Sequence, residues 1–385
     1  MREGWTSTTV GRLLSLEYGK ALKEENRTGG GFPVLSSAGV IGRHRESLTG
    51  SGPAVVVGRK GTAGSVHWSD GPCWPIDTAF WVRLESDHVD LRFAYLLLEH
   101  LDLPSICAQT GVPGLNRDRA YALTVLLPSL AEQRRIVDLV TSLDHYQRGC
   151  RRLSDGADTT REAMFSERFA AADATWPRTA LGEVVEVAMG RQRSPEHATG
   201  DHLVPYLRAA NVKDGRLVLD DVLTMNFSPV EQEKFALVRG DVLVTEGCGS
   251  LRQLGASASW QDDLPGTTCF QNTLLRLRAR PGVTLPDFVE LWARHAHRSG
   301  LWADIASGTN IFHVGSTRAA KAPVVLPPLT EQQRIVDLAG AMDAIDRASA
   351  NAADAAALLR EQLLVALLTG EHEIPETYDE FLAEG

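Results

Sequence analysis

Several loops of this chain place cations and amides beside glycine and other small residues, where a backbone or a long side chain can approach an anion closely. Arg43-His44-Arg45 and Arg59-Lys60-Gly61-Thr62 lie in glycine-rich stretches, and Asn116-Arg117-Asp118-Arg119 combines an amide with two guanidinium groups. Arg191-Gln192-Arg193, Arg208, Asn211 and Lys213 form a comparable set further along. Leu251-Arg252-Gln253 and Thr309-Asn310 follow turns of small residues. Lys and Arg neutralise phosphates, bidentate Arg matches the guanine edge, and Asn or Gln matches adenine. Any one such residue is by default a solvated surface charge, so the signal is their grouping. Arg276, Arg278 and Arg280 alternate along a strand and read as structural or rim arginines.

Catalytic chemistry finds less support. The chain has no NPPY-type tetrapeptide and no F-x-G-x-G loop, and Gly58–Gly64 (GRKGTAG) lacks the GxxxxGK[ST] spacing of a nucleotide loop. His295 with His297, and His67 near Cys73, have no further partners at ligand spacing, so no metal is expected. Asp220-Asp221 and Asp262-Asp263 read as solvated turn acids. Neither a catalytic residue nor a cofactor is expected.

At 385 residues, 43% of them hydrophobic and 23% charged, the chain suits two globular domains with connecting structure. No apolar run approaches membrane-spanning length, and Met1-Arg2-Glu3-Gly4-Trp5 lacks a secretory core. Five scattered cysteines form no CxxC pair, which points to a reduced cytoplasm. The net charge of −10 argues at first against a polyanion partner, but the charge is uneven. Residues 1–128 carry 13 basic and 13 acidic side chains, and residues 176–328 carry 16 of each. Residues 329–385 carry 3 basic and 12 acidic ones, so the acidity belongs to the C-terminal segment.

The chain is internally duplicated. Leu126–Asp144 (LLPSLAEQRRIVDLVTSLD) and Val325–Asp343 (VLPPLTEQQRIVDLAGAMD) match at 11 of 19 positions at a constant offset of 199. Phe93, Leu96 and His100 recur as Phe288, Leu291 and His295 at an offset of 195, and Trp5 recurs as Trp176 at 171. The changing offset calls for an insertion in the second copy around Asn211–Arg239. Each copy opens with short β-rich runs and closes in a long helix that begins after Pro128 or Pro327, with Glu132 or Glu331 in its first turn.

Both long helices repeat every 3.5 residues. The expected seam runs through Ile136, Leu139, Leu143, Tyr146, Cys150, Leu153, Ala157 and Met164 in the first helix. In the second it runs through Ile335, Leu338, Met342, Ile345, Ala352, Ala356, Leu359, Leu363 and Ala366, with Ser349 as a polar interruption. Sustained heptads want a partner helix, and the nearest is the other copy; about 40 residues each make a rod of roughly 60 Å.

Two irregular α/β blocks, each followed by an LP-x-L-x-EQ-x-RIV-x-L box, resemble the specificity (S) subunit of type I restriction-modification enzymes over essentially the whole chain. Trp5…Val10-Gly11 and Trp176…Leu181-Gly182-Glu183-Val184 are similar to that family's domain openings. Phe32–Gly42 with Val55–Gly64 looks like a common subtype of its recognition domain, and Leu363–Gly370 like the close of its second conserved helix. The resemblance implies an α/β (α+β) fold: two irregular target-recognition domains, joined and held apart by two long antiparallel coiled-coil helices. The expected boundaries are 1–129 and 173–328 for the domains, 130–172 and 329–370 for the helices, and 371–385 for an acidic tail, either ordered against a partner or disordered.

The resemblance further implies a non-catalytic subunit that reads a split, asymmetric double-stranded DNA target. It would carry two copies of an adenine-methyltransferase modification subunit and a motor-nuclease restriction subunit. The expected DNA-binding residues are Arg43, Arg45, Arg59, Lys60, Asn116, Arg117, Arg119, Arg191, Arg193, Arg208, Asn211, Lys213, Arg252, Gln253 and Asn310. Competing readings are a specificity chain of a type II or orphan methylation system, an enzyme using the glycine-rich loops for phosphate chemistry, and a duplicated protein-binding adaptor. The missing motifs count against the enzyme, and the two large divergent blocks against the adaptor.

Overall fold

The computed structural model describes residues 4–27, 29–107, 114–171 and 176–384; Met1–Glu3 and Gly385, drawn on above, lie outside them. The chain forms two compact units, Met1–Arg151 with Ala350–Gly385, and Arg152–Ser349. Each contains one α/β block and half of each long helix.

Among the described residues the first block has nine strands: β1 (Thr6–Thr9), β2 (Leu14–Tyr18), β3 (Phe32–Ser36), β4 (Gly39–His44), β5 (Ala54–Gly58), β6 (Val66–Ser69), β7 (Trp74–Pro75), β8 (Ala79–Leu84) and β9 (Thr124–Leu127). Antiparallel β1 and β9 close the block, with Thr6 opposite Leu127. A four-stranded sheet runs β2-β8-β5-β6 and a three-stranded one β4-β3-β7. The valine-rich β5 is buried throughout. By the two-residue alternation of a strand, Val55 and Val57 join Phe80, Val82, Phe93 and Leu97 in one cluster. Val56 joins Leu35, Cys73 and Ala79 in another. Helix Leu91–His100, which supplies Phe93 and Leu97, is capped by the Asp90 carboxylate, which accepts from the N–H groups of Arg92 and Phe93.

The second block repeats this plan with β10 (Arg178–Ala180), β11 (Val185–Met189), β12 (Leu203–Leu207), β13 (Val212–Lys213), β14 (Arg216–Leu217), β15 (Leu223–Asn226), β16 (Val242–Thr245), β17 (Gly247–Cys248), β18 (Ser257–Ser259), β19 (Cys269–Phe270), β20 (Leu274–Ala279), β21 (Phe312–His313) and β22 (Pro323–Val325). β10 pairs with β22, the larger sheet runs β11-β20-β16-β18, and the smaller runs β15-β12-β19. The extra material is the β13–β14 hairpin and helix Pro229–Phe235, both inside the stretch where the offset predicts an insertion. The alternating arginines of β20 pin that helix. The Arg276 guanidinium donates to the carbonyls of Lys234 and Ala236 and pairs with Glu186 at 2.5 Å, and Arg278 grips the buried Asp241 through two 2.7 Å bonds.

The two long helices are Leu130–Ala171 and Leu329–Leu368. In the second unit Ser154 bonds Asp346 and Arg161 pairs with Asp343, so one helix advances as the other recedes, the antiparallel arrangement. In the first unit Arg360 reaches Asp144 at 2.6 Å and Glu99 at 2.8 Å.

The buried stripe keeps the heptad spacing but corrects one of the two expected seam columns. Ile136, Leu143, Cys150, Ile335, Met342 and Ala356 are buried or half-buried as expected. The second column lies one residue later: Val140, Gln147, Ser154 and Arg161 in the first helix, and Ala339, Asp346, Ala353 and Arg360 in the second. Tyr146 and Ile345 are 58% and 53% exposed, Leu338 and Leu359 are exposed too, and Leu139 only borders the core of the first unit. The reason is compositional. The helix interiors hold small side chains and ion pairs, whereas an apolarity count selects the aliphatic residues that face outward.

Both LP-x-L-x-EQ boxes are fixed by their glutamine. The fully buried Gln133 donates to the carbonyls of His88 and Pro128 (2.8 and 2.9 Å) and accepts from Asp90 N–H (2.9 Å). Gln332 repeats this with Val283, Pro327 and Leu285 (3.1, 2.9 and 2.9 Å). Each ties the start of a long helix to the approach of its block's own helix, satisfying backbone groups that would otherwise be buried and unpaired.

The C-terminal segment is ordered against its own unit. Ile374 is buried in the first unit's core, and helix Tyr378–Glu384 follows it. Asp379 accepts two bonds from Arg135 at 2.7 and 2.6 Å, and Tyr378 donates to Asp138 at 2.7 Å. The Arg135 bond holds the Asp379 carboxyl below its ordinary range, while burial and the bond to Asp138 push the Tyr378 hydroxyl up to about 12. Among the described residues no helix is long and apolar enough to cross a membrane.

Candidate nucleic-acid interface

The loops that gather the predicted residues are held by backbone hydrogen bonds that recur in both units. β2 runs into Gly19, whose N–H donates to Ala79; an added Cβ would lie 2.1 Å from the Ile76 carbonyl oxygen, so only glycine fits. Gly190 occupies the same place in the second unit, with a would-be Cβ 2.3 Å from the Gln271 oxygen. The next residue donates in turn to a matching carbonyl, Lys20 to Pro75 and Arg191 to Phe270.

The residue after the central strand is equally well matched. Arg59 N–H donates to Thr78 at 2.9 Å, and its carbonyl accepts from Leu115 at 3.0 Å. In the second unit Glu246 N–H donates to Thr273 at 2.9 Å, and its carbonyl accepts from Val314 at 3.1 Å. Lys60 bridges to Gly114 as Gly247 pairs with His313. Arg59 and Glu246 therefore stand at equivalent points of one frame, with opposite charge.

In the first unit this junction is cationic. The Arg59 and Arg117 guanidinium carbons lie 4.9 and 4.4 Å from the centroid of the Tyr18 ring, and 5.9 and 5.8 Å from that of Phe80. Each donates one bond to a backbone oxygen, Arg59 to Asp77 at 2.9 Å and Arg117 to Leu16 at 3.1 Å. Neither forms a salt bridge among the described residues, so each keeps charge and several donors while an aromatic face fixes its orientation. Asn116 caps helix Arg117–Ala122 by accepting from Arg119 N–H at 3.2 Å, and Lys60 and Arg119 are exposed beside it. Arg43 and Arg45 sit on and just beyond β4, where Arg43 donates twice to the Gly31 carbonyl.

The second unit neutralises two of its comparable residues, Arg191 and Arg208. Arg191 lies 5.0 Å from the Phe227 ring centroid, donates to Asn226 and pairs with Glu231 at 2.8 Å. Burial works to raise the Glu231 carboxyl, but the Ser228 hydrogen bonds and Arg191 outweigh it and hold it low. Arg208 pairs with Asp221. Asn211 is 2% exposed, donating to Val218 and Asp221 and accepting from Arg208 N–H; it shapes its turn and offers no group to a ligand. Glu246 is itself buried, its carboxylate accepting from Gly315 N–H at 3.1 Å and lying 3.0 Å from His313 Nδ1. Lys213, Arg252 and Gln253 line one cavity, and Arg193 and Asn310 are exposed in loops.

Sequence reasoning passed over Tyr18, Lys20, Glu246 and His313. Tyr18 ends a strand and reads as an ordinary strand aromatic, although Tyr-Gly-Lys at a strand end was a usable signal. The histidines weighed as metal ligands are held singly, His67 to the Ser37 carbonyl and His297 to that of Leu254. Among the described residues no group of three or more His, Cys, Asp or Glu side chains could hold a metal.

Residues 2–148 match the type I restriction modification DNA specificity domain family, and the duplicated frame carries the same plan through the second unit. The match covers less than half of the chain and places a type I restriction modification DNA specificity domain in its first unit. The chain is similar in fold to the S subunit of a type I restriction-modification system from M. genitalium, with 17% identity over 94% of this chain and 96% of that one, at a TM-score of 0.60. A structure concerned with complex assembly and conformational transition of the type I R-M system is similar at 18% identity, covering 96% and 98% of the two chains, also at 0.60. The HsdS subunit from Thermoanaerobacter tengcongensis is similar at 18% identity over 97% and 98%, at 0.53. At these identities the likeness is one of fold. No curated protein matches this chain.

Proposed function

We propose that this chain is the DNA-reading subunit of a type I restriction-modification enzyme, with one α/β block for each part of a split target and the chemistry left to partner subunits. The observation that carries this is the Arg59–Arg117 pair, oriented on Tyr18 without a carboxylate, in a block that matches the DNA specificity family. Guanidinium groups held in this way suit phosphate oxygens or a guanine edge. The equivalent junction of the second block carries Glu246, so the two blocks present unlike surfaces and the target has unlike halves. Arg43, Arg45, Lys60, Asn116 and Arg119 extend the contact surface of the first block. Arg193, Lys213, Arg252, Gln253 and Asn310 supply that of the second, with Arg191 and Arg208 contributing once their carboxylates are displaced.

The long helices set the unread spacer and dock the partners. Their outward residues, Tyr146, Leu338, Ile345 and Leu359 among them, offer apolar surface to two copies of an adenine-methylating modification subunit, which a motor-nuclease subunit joins for cleavage. The test is selection of bound duplexes from a random library by the purified chain with its modification subunit. A motif of two unlike parts around a fixed gap supports the reading, and the absence of enrichment overturns it. Removing one heptad from each helix, about 10 Å of rise, is expected to shorten the gap by roughly three base pairs and leave both half-sites unchanged. Altered half-site sequences would refute the spacer role.

A further inference from the structure

The second unit contains a cavity of about 290 Å³ that the first unit's plan cannot form. One wall is the inserted hairpin, through Ala210, Val212 and Lys213; the others are the end of β16, the turn before β18 and helix Pro286–Arg298. In the first unit β3 passes to β4 through two residues, Ser37 and Ala38, and no hairpin intervenes. The volume sits at the lower end of the range for small-molecule sites, about 300–1,000 Å³.

The lining is that of a site for a flat, polar-edged ring. Ala210, Val212 and Ala256 give small apolar walls that leave room for a ring. Thr245 is 3% exposed, and its hydroxyl has no hydrogen-bond partner, although burying a hydroxyl unsatisfied is costly. Gln253 lends its amide oxygen to the Cys248 thiol and keeps its NH₂ donors. His297 meets the Leu254 carbonyl through Nδ1, which leaves Nε2 as an acceptor in the neutral ring. Gln253 and His297 thus bring polar groups to the wall, Asp214 lines it as well but is paired with Arg298 at 2.8 Å, and two exposed cations, Lys213 and Arg252, stand at its edge.

We infer that this cavity seats one nucleotide, its base against Thr245, Gln253 and His297 and its phosphate at Lys213 and Arg252. The nucleotide comes either from a DNA strand, as an extrahelical base, or free from solution. Only the first source rests on the DNA-reading role proposed above. Extruding a base costs its stacking and pairing, which hydrogen bonds to its exposed edge can offset.

Cys248 reports on occupancy, because it lines the cavity and is partly exposed while the other four cysteines are buried. The full chain is treated with iodoacetamide, and alkylation at Cys248 is followed by mass spectrometry in the presence of dAMP, dGMP, dCMP or TMP at millimolar concentration. The same measurement is made with a target duplex carrying 2-aminopurine at each adenine in turn. At least a fivefold slowing by one monophosphate, lost in Ala210→Phe and weakened in Thr245→Val, supports the site. Slowing by the duplex with a rise in 2-aminopurine fluorescence assigns the nucleotide to the strand; slowing by a monophosphate alone assigns it to solution. If no monophosphate slows alkylation and no 2-aminopurine brightens on a duplex that the chain demonstrably binds, the inference is overturned while DNA reading stands. A chain that binds no duplex at all refutes the DNA-reading role instead, and the monophosphate arm still decides the cavity.

Discussion

In the first unit the residue after the central strand is Arg59, stacked with Arg117 on Tyr18; in the second it is Glu246, buried against His313 and Gly315 N–H. The backbone around the two is nearly interchangeable, donor for donor. Gly19 and Gly190 serve one close approach, and Gln133 and Gln332 make one set of three bonds. After duplication, the groups that satisfy buried backbone kept their identity, because replacing any of them strands a donor or an acceptor. The side chains that follow the two central strands lie outside that shared set of bonds, and there the charge reversed, from Arg59 to a buried Glu246. A frame held by backbone bonds can thus present different surfaces without refolding, which suits reading two different sequences.

The contrast can be broken first at the cations. Arg59→Ala with Arg117→Ala should weaken DNA binding roughly a hundred- to a thousandfold and flatten its log–log salt dependence by up to about 2, read by fluorescence anisotropy across a salt series. Arg191→Ala with Arg208→Ala should cost less than about fivefold, because Glu231 and Asp221 already neutralise those groups. Equal losses in the two units would remove the distinction.

The shared frame comes next. Gln133→Ala and Gln332→Ala should each destabilise the chain by about 2–3 kcal/mol, since each leaves a buried carbonyl and two part-buried backbone groups without partners. Urea unfolding that finds one glutamine costly and the other neutral would show that the two frames are held differently. The smallest effect is at the tail, which only the first unit carries. Asp379 is held below the ordinary carboxylate range, so its contribution is present above that range and fades as pH falls through the lowered value. At neutral pH, Asp379→Asn should speed hydrogen exchange over Tyr378–Phe381 a few-fold and leave DNA affinity unchanged; unchanged exchange would show that Tyr378 and Ile374 suffice.

The duplication, the insertion and the two long helices were legible because repetition and a 3.5-residue period survive without coordinates. The Arg59 and Arg117 loops were legible from cations beside glycine. The helix seam was legible in one column only, since Asp346 and Arg360 lie inside where an apolar pattern looks for Ile345 and Leu359. Asn211 and Arg191 looked like ligands in sequence because partners such as Val218, Asp221 and Glu231 are distant enough along the chain to leave no local trace. Glu246 gave no signal at all: a carboxylate in a β-rich run reads as an outward strand residue, and its burial depends on His313 and Gly315, some 70 residues away.

Mapping methylated adenines in the DNA of cells that express this chain with its modification subunit tests most directly whether one chain carries two unlike readers. A motif of two different parts around a fixed gap, absent when the chain is deleted, is the predicted result. A palindromic or continuous motif, or methylation indifferent to the deletion, would contradict it.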